Sequence, residues 1–193
     1  MVKKIKIAVL ISGRGSNLNA LIKATQENDF PAEISLVISN KKEAIGLEIA
    51  KEHNIKTAII DHKLFSDRKS FDQEIDKIIN ENNCQIICLA GFMRILSSEF
   101  TQKWHGKMIN IHPSLLPEFK GGNAVKDAIN AKAEYSGCTV HYVTTEVDSG
   151  EIILQEKVII DKNDNIDSLA AKILEKEHKI YPQALKIACN NLK

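Results

Sequence analysis

The chain has 193 residues, 44% of them hydrophobic and 26% charged, and these globular values exclude disorder or low complexity as an overall description. Lys and Arg number 26 against 25 Asp and Glu, a net charge of +1, so the chain is not built to coat nucleic acid or an anionic membrane. No apolar run approaches the ~18 residues of a bilayer-spanning helix, and the apolar stretch Ile5–Ile11 meets a glycine loop instead of a small-residue cleavage site. A cytoplasmic domain is expected.

Ile5 to Ile11, apolar apart from Lys6, reads as a buried parallel strand. After Ser12-Gly13-Arg14-Gly15-Ser16, Asn17 is placed to cap a helix with Leu18, Leu21 and Ile22 on one face. Ile34 to Ser39 is a second strand, Ala44, Leu47 and Ala50 with Ile49 at the edge mark a helix, and Thr57 to Ile60 is a third strand. Phe71, Ile75, Ile78 and Ile79 recur with the helical period, and Gln85 to Leu89 is a fourth strand ending at Ala90-Gly91. Met108 to Ile111 predicts a short strand and Pro113 to Gly122 an irregular segment. Thr139 to Val143 and Ile152 to Ile160 are β-rich, joined by more than a tight hairpin turn. Ile166, Leu169, Ala170, Ile173 and Leu174 make a last helical stripe, where Pro182 begins a further helix or kinks this one. Strands alternating with helices predict a doubly wound α/β fold: a mostly parallel sheet with helices on both faces, in a single domain over residues 1–193.

Cys84 and Cys88, four apart in an apolar run, would share one face of a strand, and Cys138 and Cys189 are isolated. No C-x-x-C pair or Cys/His cluster has zinc spacing, so buried reduced thiols and no metal are expected.

Ligands of an open parallel sheet bind beyond the carboxyl ends of its strands. The strand-end segments here are Ser12 to Asn17, Asn40 to Lys42, Ala90 to Arg94 and Asn110 to Pro113, and they concentrate glycine, amide and basic residues. The first can offer backbone N–H groups to an anion at a helix N-terminus, or be a plain strand-to-helix turn. It lacks the Gly-Lys-Ser/Thr ending of a Walker loop, and Leu18 stands where a dinucleotide fingerprint has its third glycine, so a monophosphate fits better than a pyrophosphate. Asn110 and His112, two apart on a strand, face one space, and an amide donor beside an imidazole suits acyl transfer. A lone His112 would equally be a structural residue at a strand end. His141, in an apolar strand, reads as a core histidine, and His53, His62 and His105 as surface residues. Asp148, before Ser149-Gly150, is either a turn residue or a carboxylate serving His112. Gly91 to Leu96 forms either an apolar slot with one cation or a helix start packed on the sheet.

The strings ISGRGSNLNALI, LAGFMRIL, NIHPSLLP, VHYVTTEVDSG and EHKIYP occur in an order that resembles, from end to end, the glycinamide ribonucleotide formyltransferases of purine synthesis. The resemblance implies transfer of a formyl group from 10-formyltetrahydrofolate to the amine of glycinamide ribonucleotide, with no metal. It makes Asn110, His112 and Asp148 the catalytic trio. Asn110 would be donor to the oxyanion and His112 its cationic or proton-transferring neighbour. Asp148 would hold the histidine's state and relay the amine proton through water. Gly15, Ser16 and Asn17 match the substrate-phosphate loop, and Glu177, which by itself reads as part of a solvated helix face, matches the residue gripping the ribose hydroxyls. Met93, Arg94, Ile95, Leu96, Asn110 and Val143, with the backbone of Thr144 to Asp148, match the pterin slot, and Arg68 a basic residue near the folate tail. The phosphate-binding half would span about 1–100 and the catalytic, folate-binding half about 101–193.

Two departures stand out. Gly121 to Ala124 lacks a histidine that some members carry in that loop, and Arg14 occupies a variable position of the phosphate loop, where solvent is the favoured neighbour. The partners implied are small molecules, with no nucleic acid and no membrane, in a monomer or homodimer. The rivals are a 10-formyltetrahydrofolate hydrolase, a methionyl-tRNA formyltransferase, and a phosphate- or folate-binding module without activity. The first two families carry an additional domain for which 193 residues leave no room.

Overall fold

The computed structural model describes residues 4–192. Strand β1 (Ile5–Ile11) is buried on both sides, with Ile7, Val9 and Ile11 in one apolar cluster and Ala8 and Leu10 in the other. Each fully buried aliphatic side chain of this kind contributes about 1.5–3 kcal/mol. Around it run α1 (Ser16–Thr25), β2 (Ala32–Ser39), α2 (Ile45–Glu52), β3 (Lys56–Ile59), α3 (Arg68–Glu81), β4 (Ile86–Leu89), α4 (Ser98–Lys103) and β5 (Met108–His112). The chain then adds α5 (Ala124–Asn130), β6 (Tyr135–Tyr142), β7 (Ile152–Ile159) and α6 (Ile166–Asn191).

The seven strands form one sheet in the order β3-β2-β1-β4-β5-β6-β7. Pairing is parallel from β3 through β5 and antiparallel for β5–β6 and β6–β7. Successive strands are added on one side from β1 to β3 and on the other from β4 onward, and this reversal of strand order between β1 and β4 opens a crevice at their carboxyl ends. Helices α1, α2, α5 and α6 cover one face, while α3 and α4 cover the other through Phe71, Ile75, Phe100 and Trp104. The doubly wound α/β architecture is therefore present.

Five local expectations change. Gly15, not Asn17, caps α1, because its left-handed backbone (φ 77°) ends the loop two residues earlier and leaves Asn17 inside the first turn. Cys84 precedes β4, so it packs with the α3 cluster while Cys88 packs with the α6 cluster, on the opposite face. Helix α6 runs without interruption through Pro182, and a capping box between Asn165 and Ser168 opens it. The short helices α4 and α5 carry too few turns to show a hydrophobic stripe. Strand β6 begins at Tyr135, four residues before the β-rich run, where Ser136 and Gly137 hide it.

One side chain of α6 ties the sheet together from beneath. The buried Tyr181 hydroxyl lies 2.9 Å from the Leu89 carbonyl and 3.4 Å from that of Ile109, bridging the adjacent strands β4 and β5. Tyr181→Phe removes this buried donor and lowers stability by about 1–2 kcal/mol, measurable as a reduced urea midpoint at unchanged slope.

Candidate active site

The first cradle is built by close backbone approach. A Cβ on Gly15 would lie 2.5 Å from the Gly46 Cα, and the Gly46 N–H donates to the Gly13 carbonyl at 3.1 Å, so the loop after β1 is pressed against the start of α2. No side chain caps α1 and its first turn holds no acidic residue, which leaves the N–H groups around Ser16 and Asn17 open to an anion. Arg14 is exposed. The Asn17 amide donates to Glu177 Oε2 at 2.7 Å across 160 positions of sequence, joining α1 to α6. Burial raises the Glu177 pKa, and the Asn17 hydrogen bond opposes that rise. Asn17 Oδ1 is buried without a partner. A helix N-terminus beside a carboxylate and an unused amide oxygen suits a ligand carrying an anion next to hydroxyl donors.

The second cluster lies on a face of the sheet. In β5, Ile109 and Ile111 enter the α6-side core, so Asn110 and His112 project to the opposite face, as their spacing predicts. The β5–β6 register sets His141 directly opposite Asn110 and Thr139 opposite His112. The Asn110 amide nitrogen is 3.2 Å from His141 Nε2, and His112 Nε2 donates to the Phe119 carbonyl at 2.8 Å. Asp148 joins the group, with Oδ2 3.4 Å from His112 Nδ1 and Oδ1 3.5 Å from His141 Nε2. Oδ2 also accepts from the Gly121 N–H at 2.8 Å.

Asp148 arrives there by an unusual route. The N–H of Val143 bonds to the Met108 carbonyl at the far end of β5 from His112, so the following segment must return across the sheet face to reach the histidine. That segment is pinned at its base, where the Tyr142 N–H meets the Glu151 carbonyl and a Cβ on Gly150 would collide with the Tyr142 carbonyl at 1.7 Å. Asp148 takes a left-handed conformation (φ 49°) at the turn, an uncommon one that aspartate tolerates better than most residues, and the Gly121 N–H and His112 hold its carboxylate in place. Burial alone would raise its pKa, but the Gly121 N–H and the charge of His112 bring it down to about 2. The carboxylate is therefore ionised at neutral pH. Both nitrogens of His112 face acceptors, an arrangement the doubly protonated ring satisfies.

Between the two cradles lies the segment after β4, an irregular stretch and not a helix start. Met93 (68% exposed) and Ile95 (58%) stand open to solvent beside buried Phe92 and Leu96. Val147 (50%), on the Asp148 segment, is likewise an exposed apolar side chain. The Met93 N–H donates to Ser12 Oγ, which donates to Asn40 Oδ1, so the ends of β1, β2 and β4 are laced together. The Asn40 amide continues to His62 Nδ1 at 3.4 Å, which makes His62 a half-buried partner and not a plain surface residue. Arg94 is half-buried with Nε unpartnered, Val143 is half-buried, and Arg68 stands exposed at the start of α3. Near it, buried Asp72 accepts the Ser97 N–H at 2.6 Å and fastens the end of the segment after β4 to α3.

The residues that sequence reasoning passed over are His141, Asp72 and the backbone of Phe119 and Gly121. Only His141 carried a signal: its alternation places it on the same side of β6 as Thr139, opposite the apolar Cys138 and Val140. Among the described residues, no group of three or more His, Cys, Asp or Glu is arranged to hold a metal, and no helix is long and apolar enough to cross a membrane.

Residues 5–185 match the family model described as Formyl transferase. The chain is 50% identical over 188 residues to the human trifunctional purine biosynthetic protein adenosine-3, covering 97% of this chain but only 19% of that protein. It is 46% identical to the phosphoribosylglycinamide formyltransferase of Haemophilus influenzae, covering 94% of this chain and 85% of the relative. The crystal structure of phosphoribosylglycinamide formyltransferase from Anaplasma phagocytophilum superposes with a TM-score of 0.92 at 44% identity, covering 98% of this chain and 88% of that one. At this level of identity and coverage, the chain belongs to the formyl transferase family, on its phosphoribosylglycinamide formyltransferase branch.

Proposed function

We propose that the chain transfers a formyl group from 10-formyltetrahydrofolate to the amine of glycinamide ribonucleotide, in the purine-synthesis pathway of the cytoplasm, as a monomer or homodimer. The observation that carries this reading is the convergence of Asn110, His112 and Asp148 on one face of β5, with the Asn17–Glu177 cradle beyond the carboxyl end of β1. The two cradles give one site for each substrate. Gly15, Ser16 and Asn17 receive the phosphate at the start of α1, and Glu177 with the free Asn17 oxygen receives the ribose hydroxyls. The folate supplies the formyl carbon when bound. Met93, Ile95, Leu96 and Val143 would hold its flat ring system, and Arg94 and Arg68 its anionic tail.

The chemistry follows from the chain's own groups. Asn110 donates a hydrogen bond to the formyl oxygen as charge develops there, and His112 sets a positive charge beside it. Asp148 holds that charge in place. At a pKa of about 2 it is a poor store for a proton, so it passes the amine proton through water to the folate nitrogen, which leaves as tetrahydrofolate when its bond to the formyl carbon breaks.

The test is folate turnover followed by ultraviolet absorbance with and without glycinamide ribonucleotide. Turnover strictly dependent on the nucleotide supports the transferase, and turnover without it would make the chain a hydrolase. Glu177→Gln separates the cradles: the nucleotide KM rises by about 10–100-fold while kcat stays within about threefold, because a ground-state contact has been weakened. An equal loss in kcat would count against the ribose assignment.

A further inference from the structure

The proposed mechanism makes no use of His141, yet it is the most enclosed member of the cluster. Its side chain is 2% exposed and it touches both Asn110 and Asp148. A backbone carbonyl only accepts, so the 2.9 Å contact from Nδ1 to the Tyr142 carbonyl fixes a proton on Nδ1. That leaves Nε2 facing two unlike neighbours, the Asn110 amide nitrogen at 3.2 Å and Asp148 Oδ1 at 3.5 Å.

One nitrogen cannot satisfy both in a single state. Bare, it accepts an amide N–H and repels the carboxylate. Protonated, it donates to the carboxylate and repels the amide N–H, and Asn110 would have to turn its carbonyl oxygen inward. The amide contact is the shorter, and Asp148 already has the Gly121 N–H and His112 on its other oxygen. The bare state is the one that this geometry accommodates.

We propose that His141 is a positioning residue for the transfer, which with Nε2 bare takes one N–H of Asn110 so that the other N–H of the same amide points at the formyl oxygen. The orientation of an amide is otherwise nearly free, since its two ends have similar size and opposite hydrogen-bonding sense. Among the described residues, His141 is the side chain that bonds to the Asn110 amide. The inference rests on the transferase reading, so nucleotide-dependent turnover by the unaltered protein is measured first, and its absence would fail that reading and not this one.

Two measurements then test His141. Nitrogen NMR of the histidine-labelled protein is expected to show its Nδ1 protonated and Nε2 bare at the pH of turnover, and a proton on Nε2 would overturn the proposal. His141→Phe is expected to lower kcat by about 10²-fold with both KM values within about threefold, since losing an aimed oxyanion donor costs that order. In an Asn110→Ala background the same change should cost less than about threefold, because the group it positions is gone. An equal cost in both backgrounds, or a loss taken up by the KM values, would overturn it. His141→Gln keeps an acceptor in reach of Asn110 and should recover about tenfold of the activity that phenylalanine removes. If the phenylalanine variant does not fold, the glutamine variant in the two backgrounds and the NMR of the unaltered protein carry the test.

Discussion

Asp148→Asn lowers kcat by about 10³–10⁴-fold and leaves the nucleotide KM within about threefold, as removing the charged partner of a catalytic histidine does elsewhere. The amide keeps the size of the carboxylate and can still accept the Gly121 N–H, so the segment keeps its shape. It loses the negative charge that faces both histidines. Steady-state kinetics with both substrates varied checks the split, and a rise in nucleotide KM matching the fall in kcat would mean that the segment had moved. The same carboxylate gives the protein an acid sensitivity of definite sign. Its pKa falls from 3.8 to about 2 on folding, so it stabilises the native state above about 3.8 and that contribution is lost as pH drops toward 2. Urea midpoints measured between pH 5 and pH 2 should therefore fall more steeply for the unaltered protein than for Asp148→Asn.

Asn110→Ala is the second large loss, about 10²–10³ in kcat, the cost of one oxyanion donor. Asn110 is half-buried on a central strand, and among the described residues its side chain hydrogen-bonds only to His141, so the fold should tolerate the truncation. The expected signature is a fall in kcat with both substrates still bound, read by titrating nucleotide and folate separately. Loss of affinity for the nucleotide would place Asn110 in binding and not in the chemistry.

The sequence made the parallel half of the sheet legible because β1, β2 and β4 are buried on both faces toward their carboxyl ends and run into glycine or amide residues. Ile5 to Ile11 needs no context to be read. The antiparallel half was harder to read. Ser136 and Gly137 open β6 without β propensity, and Gly137 is there because a Cβ would meet the Glu156 carbonyl at 2.1 Å, a requirement set by the partner strand. Asn110 and His112 could be paired by their spacing alone, since alternation is a local property. Asp148 could not be placed without the family resemblance, because its position depends on a segment that doubles back over a sheet face. The loop carbonyl of Phe119 and the N–H of Gly121 are invisible in principle, for every residue carries those groups and only the tertiary path selects which ones matter. Burial of Glu177 is equally nonlocal: its helix is crowded with Lys and Glu, and only docking against Asn17 withdraws it from water.

That docking has a consequence for how the protein is made. The Asn17–Glu177 bond closes a loop of 160 positions, nearly the whole chain, and contacts so distant in sequence form late because their loop-closure entropy is met only after local units have assembled. The adjacent parallel β-α-β units can condense while the last helix is still free. In such an intermediate the phosphate loop exists but the carboxylate that completes its neighbour does not. The nucleotide is thus a ligand of the finished fold alone, and its presence draws partly assembled chains toward completion by mass action.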